Sequence, residues 1–324
     1  MSENILEVSH LTHYFKLNKK ISIKAVDDVS FQVRKGEILG IVGESGSGKS
    51  TLARCLMNIY EPKSGKVLFE GIDIFDKKAY RENKKFLQTQ RQIIFQDSAS
   101  SLNQRMKAKD IIAEPLRINH IRTERGSAEA EASFQLKYVG LDDSFLERYP
   151  SQMSGGQRQR IAIARGLTTE PDLLIADEPT TALDVTIQAQ VLDLIKELQN
   201  KLNTSVILIT HDLGVVAQTC DHVAVVYAGD IVEIGEAKDI FDETMHPYTK
   251  GLFASLPNIK TTSKRLTPIP GMIPDPCELP GGCSFAERCP YKDSSCEKSK
   301  PSMVEVSEGH FVRCCKVKEM GADG

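Results

Sequence analysis

No stretch of the 324-residue sequence is long and apolar enough to read as a membrane span. The N-terminus, Met1-Ser2-Glu3-Asn4, has no basic region followed by an apolar stretch, so no secretory leader is read there. Positive charge is not in excess. Lys and Arg number 41 against 44 Asp and Glu, a net charge of −3. That balance lacks the electrostatic footprint of a nucleic-acid-binding surface. No internal repeat is visible. These absences predict a cytosolic chain that reaches a membrane only through a partner. What is present is 40% apolar residues, enough to bury a sizeable core in one large domain with an appendage, or in two modest domains.

The most informative segment is Gly43-Glu44-Ser45-Gly46-Ser47-Gly48-Lys49-Ser50-Thr51. The apolar run Ile38-Leu39-Gly40-Ile41-Val42 before it reads as a buried strand, and Leu52-Ala53-Arg54-Cys55-Leu56-Met57 after it as a helix. Strand, glycine loop, Lys-Ser and helix is the context of a phosphate-binding loop. Glycines let backbone N–H groups turn inward around an anion, and the helix N-terminus adds its positive dipole end. Lys49 can reach the outer phosphates, and the Ser50 hydroxyl can ligate Mg²⁺.

Further apolar runs, Leu173–176, Ser205–Thr210 and 223–227, read as strands buried on both faces of a largely parallel sheet. Between the first two, Ile187, Val191, Leu194, Ile195, Leu198 and Leu202 share one helical face, which predicts an α/β domain. Val29-Ser30-Phe31-Gln32-Val33 alternates like a half-exposed antiparallel strand. Residues 96 to about 165 are helical in character and predict an inserted helical subdomain, with 127–139 the plainest helix.

Leu173-Leu174-Ile175-Ala176-Asp177-Glu178 is an apolar strand ending in two acids, where ligands sit in a parallel sheet. Asp177 can hold a phosphate-bridging Mg²⁺, and Glu178 can act as general base on the attacking water. Ser154-Gly155-Gly156-Gln157 opens the helix that begins near Arg158. It reads either as a second anion-binding helix end or as an ordinary N-cap by Ser154.

With these motifs in place, the chain resembles the nucleotide-binding subunit of an ATP-binding-cassette (ABC) transporter over roughly residues 5–257. Met153 stands where the family signature has leucine, apolar for apolar. The resemblance implies a P-loop core with an antiparallel β subdomain and a helical subdomain at about 97–165. It implies ATP and Mg²⁺ as ligands, with Gln96 contacting Mg²⁺ and the attacking water. Ala182-Leu183-Asp184 becomes a loop crossing a dimer interface, and His211 a switch at the γ-phosphate. The adenine-stacking aromatic falls on Phe15, with Tyr14 second. It also implies a head-to-tail dimer, homo- or heteromeric, in which one subunit's phosphate loop and the other's Ser154–157 segment enclose each ATP.

After Leu256 the texture changes. Six of the 14 prolines, at 257, 268, 270, 274, 276 and 280, mark an extended connector with no periodic pattern. Residues 258–324 are therefore read as an extension beyond a cassette at 1–257. Six of the eight cysteines fall within it: Cys277, Cys283, Cys289, Cys296, Cys314 and Cys315. In a reducing cytosol such a cluster points to metal before disulfides. His246-Pro247-Tyr248-Thr249, Pro268-Ile269-Pro270-Gly271 and the Cys283–Pro290 segment resemble the ATPases of oligopeptide and dipeptide importers, with nickel importers similar. That resemblance implies membrane permeases, a second ATPase and, indirectly, an extracytoplasmic binding protein as partners. It places the chain at the cytoplasmic face of the membrane. It also implies an iron–sulfur (4Fe–4S) cluster on Cys283, Cys289, Cys296 and Cys314, with zinc the alternative and Cys315 a competitor for the fourth position. The connector is expected to keep these thiols apart from every nucleotide motif. A soluble, non-transport ABC ATPase is the reading from another class. It is disfavoured because the chain has one cassette and no long coiled-coil insertion.

Overall fold

The computed structural model describes residues 3–19, 21–181, 184–255 and 269–317. Ala182, Leu183 and the expected boundary at 257/258 lie outside them. Strands run over Asn4–Lys16 (β1), Ser22–Arg34 (β2), Ile38–Val42 (β3), Ser64–Phe69 (β4), Ile72–Asp73 (β5) and Arg91–Ile94 (β6). They continue with Leu173–Asp177 (β7), Ser205–Thr210 (β8), His222–Tyr227 (β9), Asp230–Glu236 (β10), Val304–Ser307 (β11) and His310–Val312 (β12). The helices that matter below are Lys49–Leu56 (α1), Ala108–Ile118 (α2), Ala128–Tyr138 (α3), Gly155–Leu167 (α4), Val185–Leu202 (α5), Leu213–Thr219 (α6) and Pro247–Ala254 (α7).

The chain divides into two compact units. One comprises Met1–Glu7, Gln32–Ile38 and Val67–Ile209; the other comprises Val8–Phe31, Leu39–Lys66 and Thr210–Gly324. In the first, β8, β7 and β6 are parallel neighbours in that order, with Ile175 opposite both Ile207 and Ile93. Every residue of β7 and β8 is buried, which is why both read as unbroken apolar runs. The helices α2, α3 and α4 pack on one another, and α4 packs on β6, within the stretch read as helical.

In the second unit, β3 pairs parallel with β9 (Ile41 opposite Ala224), so the strand leading into the glycine loop is fully buried. On its other side β9 pairs antiparallel with β10, and β10 with β12. The sheet there is mixed rather than parallel throughout. The hairpin β11–β12 was not expected from a tail without pattern. Val304-Glu305-Val306 alternates and Gly309 turns the chain at φ 73°, but both strands are too short for periodicity to stand out. In the first unit, β4 and β5 pair antiparallel, with Leu68 opposite Asp73. In β2 the alternation is as expected: Val29, Phe31 and Val33 are buried and Ser30 and Gln32 exposed.

Candidate nucleotide-binding site

The glycine loop leaves β3 and enters α1 with backbone angles that require glycine. Gly43 (φ 153°) has Val226 O where a Cβ would lie, 2.1 Å away, and Gly48 (φ 102°) has Ala25 O at 2.0 Å. Lys49, 5% exposed, donates to the carbonyls of Gly43 (2.8 Å) and Glu44 (2.9 Å), so its ammonium lies across the mouth of the loop. Ser50 follows in the first turn of α1.

Glu44 is fixed at all three of its polar groups. Its N–H donates to the Tyr248 hydroxyl (2.9 Å) and its carbonyl accepts from Lys49. Its carboxylate accepts from both ends of the Arg288 guanidinium, at 2.7 and 3.2 Å. Arg288 also donates to Pro270 O (3.0 Å), and its side chain is only 5% exposed. Burial alone would lower its pKa, but the Glu44 carboxylate and Tyr227 hydroxyl raise it on balance. Beneath the loop, Tyr227, Tyr248 and Phe285 form a buried aromatic cluster with ring centroids 4.5–5.5 Å apart. The expectation of separation concerned the thiols; two tail side chains that are not thiols do reach this part of the site. Arg288 and Phe285 come from the tail and sit against the loop. Lys300 and Arg313 tie further tail residues to Asp230, at 2.9 and 3.3 Å.

Phe15 is half-buried, edge-on to His13 (4.7 Å) and Tyr60 (5.3 Å). Tyr14, its neighbour on the strand, is committed elsewhere. Its hydroxyl donates to Asp27, and the Lys63 ammonium lies 4.4 Å from its ring centre. His211 is exposed, just past β8, and Asp212 after it caps α6 through Gly214 N (2.9 Å).

In the first unit, Asp177 ends β7 at 1% exposure. Glu178 then leaves the strand in a left-handed conformation (φ 46°) that a non-glycine residue adopts at a cost of about 1–3 kcal/mol. Its N–H donates to Ile209 O (2.9 Å). One carboxylate oxygen, Oε2, accepts from both Gln96 Nε2 (2.9 Å) and Thr181 Oγ1 (2.8 Å). Gln96, Thr181 and Gly155 line one cavity of about 280 Å³ with Asp97, Arg158 and Pro179. Thr181 was not singled out from sequence; its place three residues after Glu178 is the signal that was there. Ser154 caps α4 in a reciprocal box: its hydroxyl accepts from Gln157 N (3.3 Å), and Gln157 Oε1 accepts from Ser154 N (2.9 Å). Ser154 itself is exposed, Gly156 is half-buried and Met153 is buried at 6%. Asp184 caps α5 through Ile187 N (3.0 Å).

The cysteine tail departs from expectation. Among the described residues no group of three or more His, Cys, Asp or Glu side chains is arranged to hold a metal ion, so the quartet Cys283, Cys289, Cys296 and Cys314 is not assembled as ligands. Cys314 is buried in an apolar cluster with Val312 and Val317, whereas exposed Cys315 places its sulfur 3.0 Å from that of Cys296. Burial, with smaller contributions from neighbouring thiols, pushes Cys283 up to about 11 and Cys314 up to about 12. Both are protonated at neutral pH. No helix among the described residues is long and apolar enough to cross a membrane.

The comparisons with known proteins identify the family. A family model described as ABC transporter matches residues 26–181, and one described as the C-terminal region of oligopeptide/dipeptide transporters matches 232–296. The chain belongs to the ATP-binding proteins of ABC transporters, in the oligopeptide/dipeptide branch. It is 45% identical over 319 residues to the dipeptide transport ATP-binding protein DppD of Bacillus subtilis, covering 96% of this chain and 94% of that protein. It is 44% identical over 325 residues to the oligopeptide transport ATP-binding protein AppD of the same organism, covering 98% of each. Among solved structures, the dimer of the cassette MJ0796 in a post-hydrolysis state with ADP and Pi superposes with a TM-score of 0.64. It is 28% identical and covers 72% of this chain and 98% of that one. The cbiO1 protein of Clostridium perfringens gives 0.63 at 28% identity, covering 75% and 92%.

Proposed function

We propose that this chain is the ATP-hydrolysing subunit that energises import of di- and oligopeptides through an ABC transporter. The observation that carries the reading is Glu178, a carboxylate turned out of β7 by a left-handed backbone and aimed by Gln96 and Thr181. That is the placement a general base needs. In this reading Glu178 accepts the proton of the water that attacks the γ-phosphorus, Gln96 orients that water and His211 faces the γ-phosphate. Lys49 and the N–H groups of Gly43 to Thr51 bind the phosphates, and Phe15 stacks on adenine. The donors Ser50, Gln96 and Asp177 are all oxygen ligands of the kind Mg²⁺ takes, which fits that ion; bound there, it would neutralise the developing phosphate charge.

Ser154, Gly155, Gly156, Gln157 and Asp184 serve a partner's nucleotide across a head-to-tail dimer, homo- or heteromeric. Support comes from the exposure of Ser154 and Asp184 and from the MJ0796 dimer to which the cassette is similar. Permeases supply the membrane path, an extracytoplasmic binding protein delivers the substrate, and the chain sits peripherally on the cytoplasmic face. The cassette is assigned to 1–257, with its helical subdomain at about 97–165, and the cysteine-rich extension to 258–324. No part of phosphoryl transfer passes through the cysteines, since that chemistry needs no redox centre. The iron–sulfur expectation for the tail rests on the resemblance alone. Iron with sulfide in anaerobically purified protein would establish it, zinc alone would replace it, and neither would leave a thiol-rich extension. The function itself is tested by Mg²⁺-dependent ATP hydrolysis of the purified chain. Turnover that disappears in Lys49→Ala supports it, and turnover that persists there refutes it.

A further inference from the structure

Arg288 lies 244 residues from Glu44 in sequence, yet it forks onto the second residue of the glycine loop. Its side chain is 5% exposed and that of Glu44 29%. Two consequences follow from chemistry. A carboxylate at the start of a phosphate-binding loop repels the anion that the loop exists to bind; a buried guanidinium across it cancels that charge. A bidentate pair also fixes direction as well as distance, and here it acts on a residue whose N–H and carbonyl are already engaged by Tyr248 and Lys49. The guanidinium is itself held, by Pro270 O at 3.0 Å and by packing over the rings of Tyr227 and Phe285, 5.8 and 5.9 Å from their centres.

We propose that Arg288, supplied by the cysteine-rich tail, is a positioning residue for nucleotide binding: it neutralises Glu44 and holds the loop in the shape and potential a triphosphate requires. This rests on the ATPase reading above and adds the tail to its nucleotide site. Arg288 does not touch the phosphates and acts only through Glu44.

The test uses the full chain and a fluorescent ATP analogue, with melting curves taken without nucleotide. Arg288→Met keeps the packed stem and removes the charge. It should raise the analogue's Kd about tenfold by restoring an uncompensated charge near the phosphates. Adding Glu44→Gln to Arg288→Met should return Kd to within about threefold of wild type, because the charge left unbalanced is then gone. A residue that only packs would not be rescued by removing a carboxylate on another element. Arg288→Lys, which keeps the charge and loses the fork, should fall between, and it carries the test if the methionine variant does not melt cooperatively. The proposal is overturned if Arg288→Met, or Arg288→Lys in its place, binds as tightly as wild type. It is equally overturned if the double variant binds no better than Arg288→Met. Wild-type protein that fails to bind the analogue would overturn the ATPase reading itself, a result visible before any variant is compared.

Discussion

Replacing Glu178 by glutamine should stop turnover while leaving both the fold and ATP binding in place, and the structure explains why this one change separates them. Gln96 and Thr181 both donate to the same carboxylate oxygen. Glutamine keeps one carbonyl oxygen in that position, so both hydrogen bonds survive. The backbone bond from residue 178 to Ile209 O does not involve the side chain. Stability should therefore change by less than about 1 kcal/mol, the scale of one ordinary hydrogen bond. What is lost is the basic oxygen. General-base catalysis contributes about 10²–10⁴-fold, so kcat should fall by that factor, or roughly 2.7–5.4 kcal/mol of barrier. Phosphate release under saturating ATP measures the rate, nucleotide titration the affinity, and thermal melting the fold. Hydrolysis within a few-fold of wild type, in protein that melts normally, would refute the assignment of Glu178.

Lys49→Ala should act at the earlier step, raising the Kd for ATP by about 10–100-fold because a charge-assisted contact to phosphate is lost; titration with a fluorescent nucleotide reads this. Ser154→Arg should leave ATP binding by the monomer nearly normal and impair hydrolysis, since Ser154 is exposed and assigned to a partner's nucleotide. The lost cap costs only about 1 kcal/mol, and monomer affinity reduced as far as in Lys49→Ala would defeat the composite-site reading. His246 should make folding acid-sensitive. Burial lowers it from 6.5 to about 4, against an upward pull from Glu233, and its Nδ1 accepts from Tyr248 N. The unfolded chain then binds the proton first. The contribution is full above pH 6.5 and is lost as pH falls toward 4, roughly 3 kcal/mol in all. His246→Asn, which can still cap α7, should flatten denaturant-derived stability over that window; an unchanged slope would contradict it.

The cassette was legible because its chemistry is local. The glycine loop, the strand ending at Asp177-Glu178 and the Ser154 helix end each need a fixed run of neighbours, and each run specifies its own backbone. Ser154 is an N-cap by geometry and is exposed; its service to a partner's nucleotide is the proposal made above. Glu44 and Arg288 were not legible as a pair. Glu44 was read as part of the phosphate loop and Arg288 as part of the Cys283–Pro290 segment, and only the fold brings them together. The two-strand tail hairpin escaped for a different reason: three or four residues cannot show a period. The cysteines show the limit of counting thiols, since burial of Cys314 in an apolar cluster and exposure of Cys315 depend on packing that spacing does not encode.

The most direct test of the central claim is uptake of a labelled dipeptide by cells in which this chain is the sole source of the activity, comparing wild type with Glu178→Gln at equal protein levels. The account predicts ATP-dependent uptake with the wild-type chain and background uptake with the variant. Equal uptake by the two, or wild-type uptake no greater than in cells lacking the chain, would contradict it.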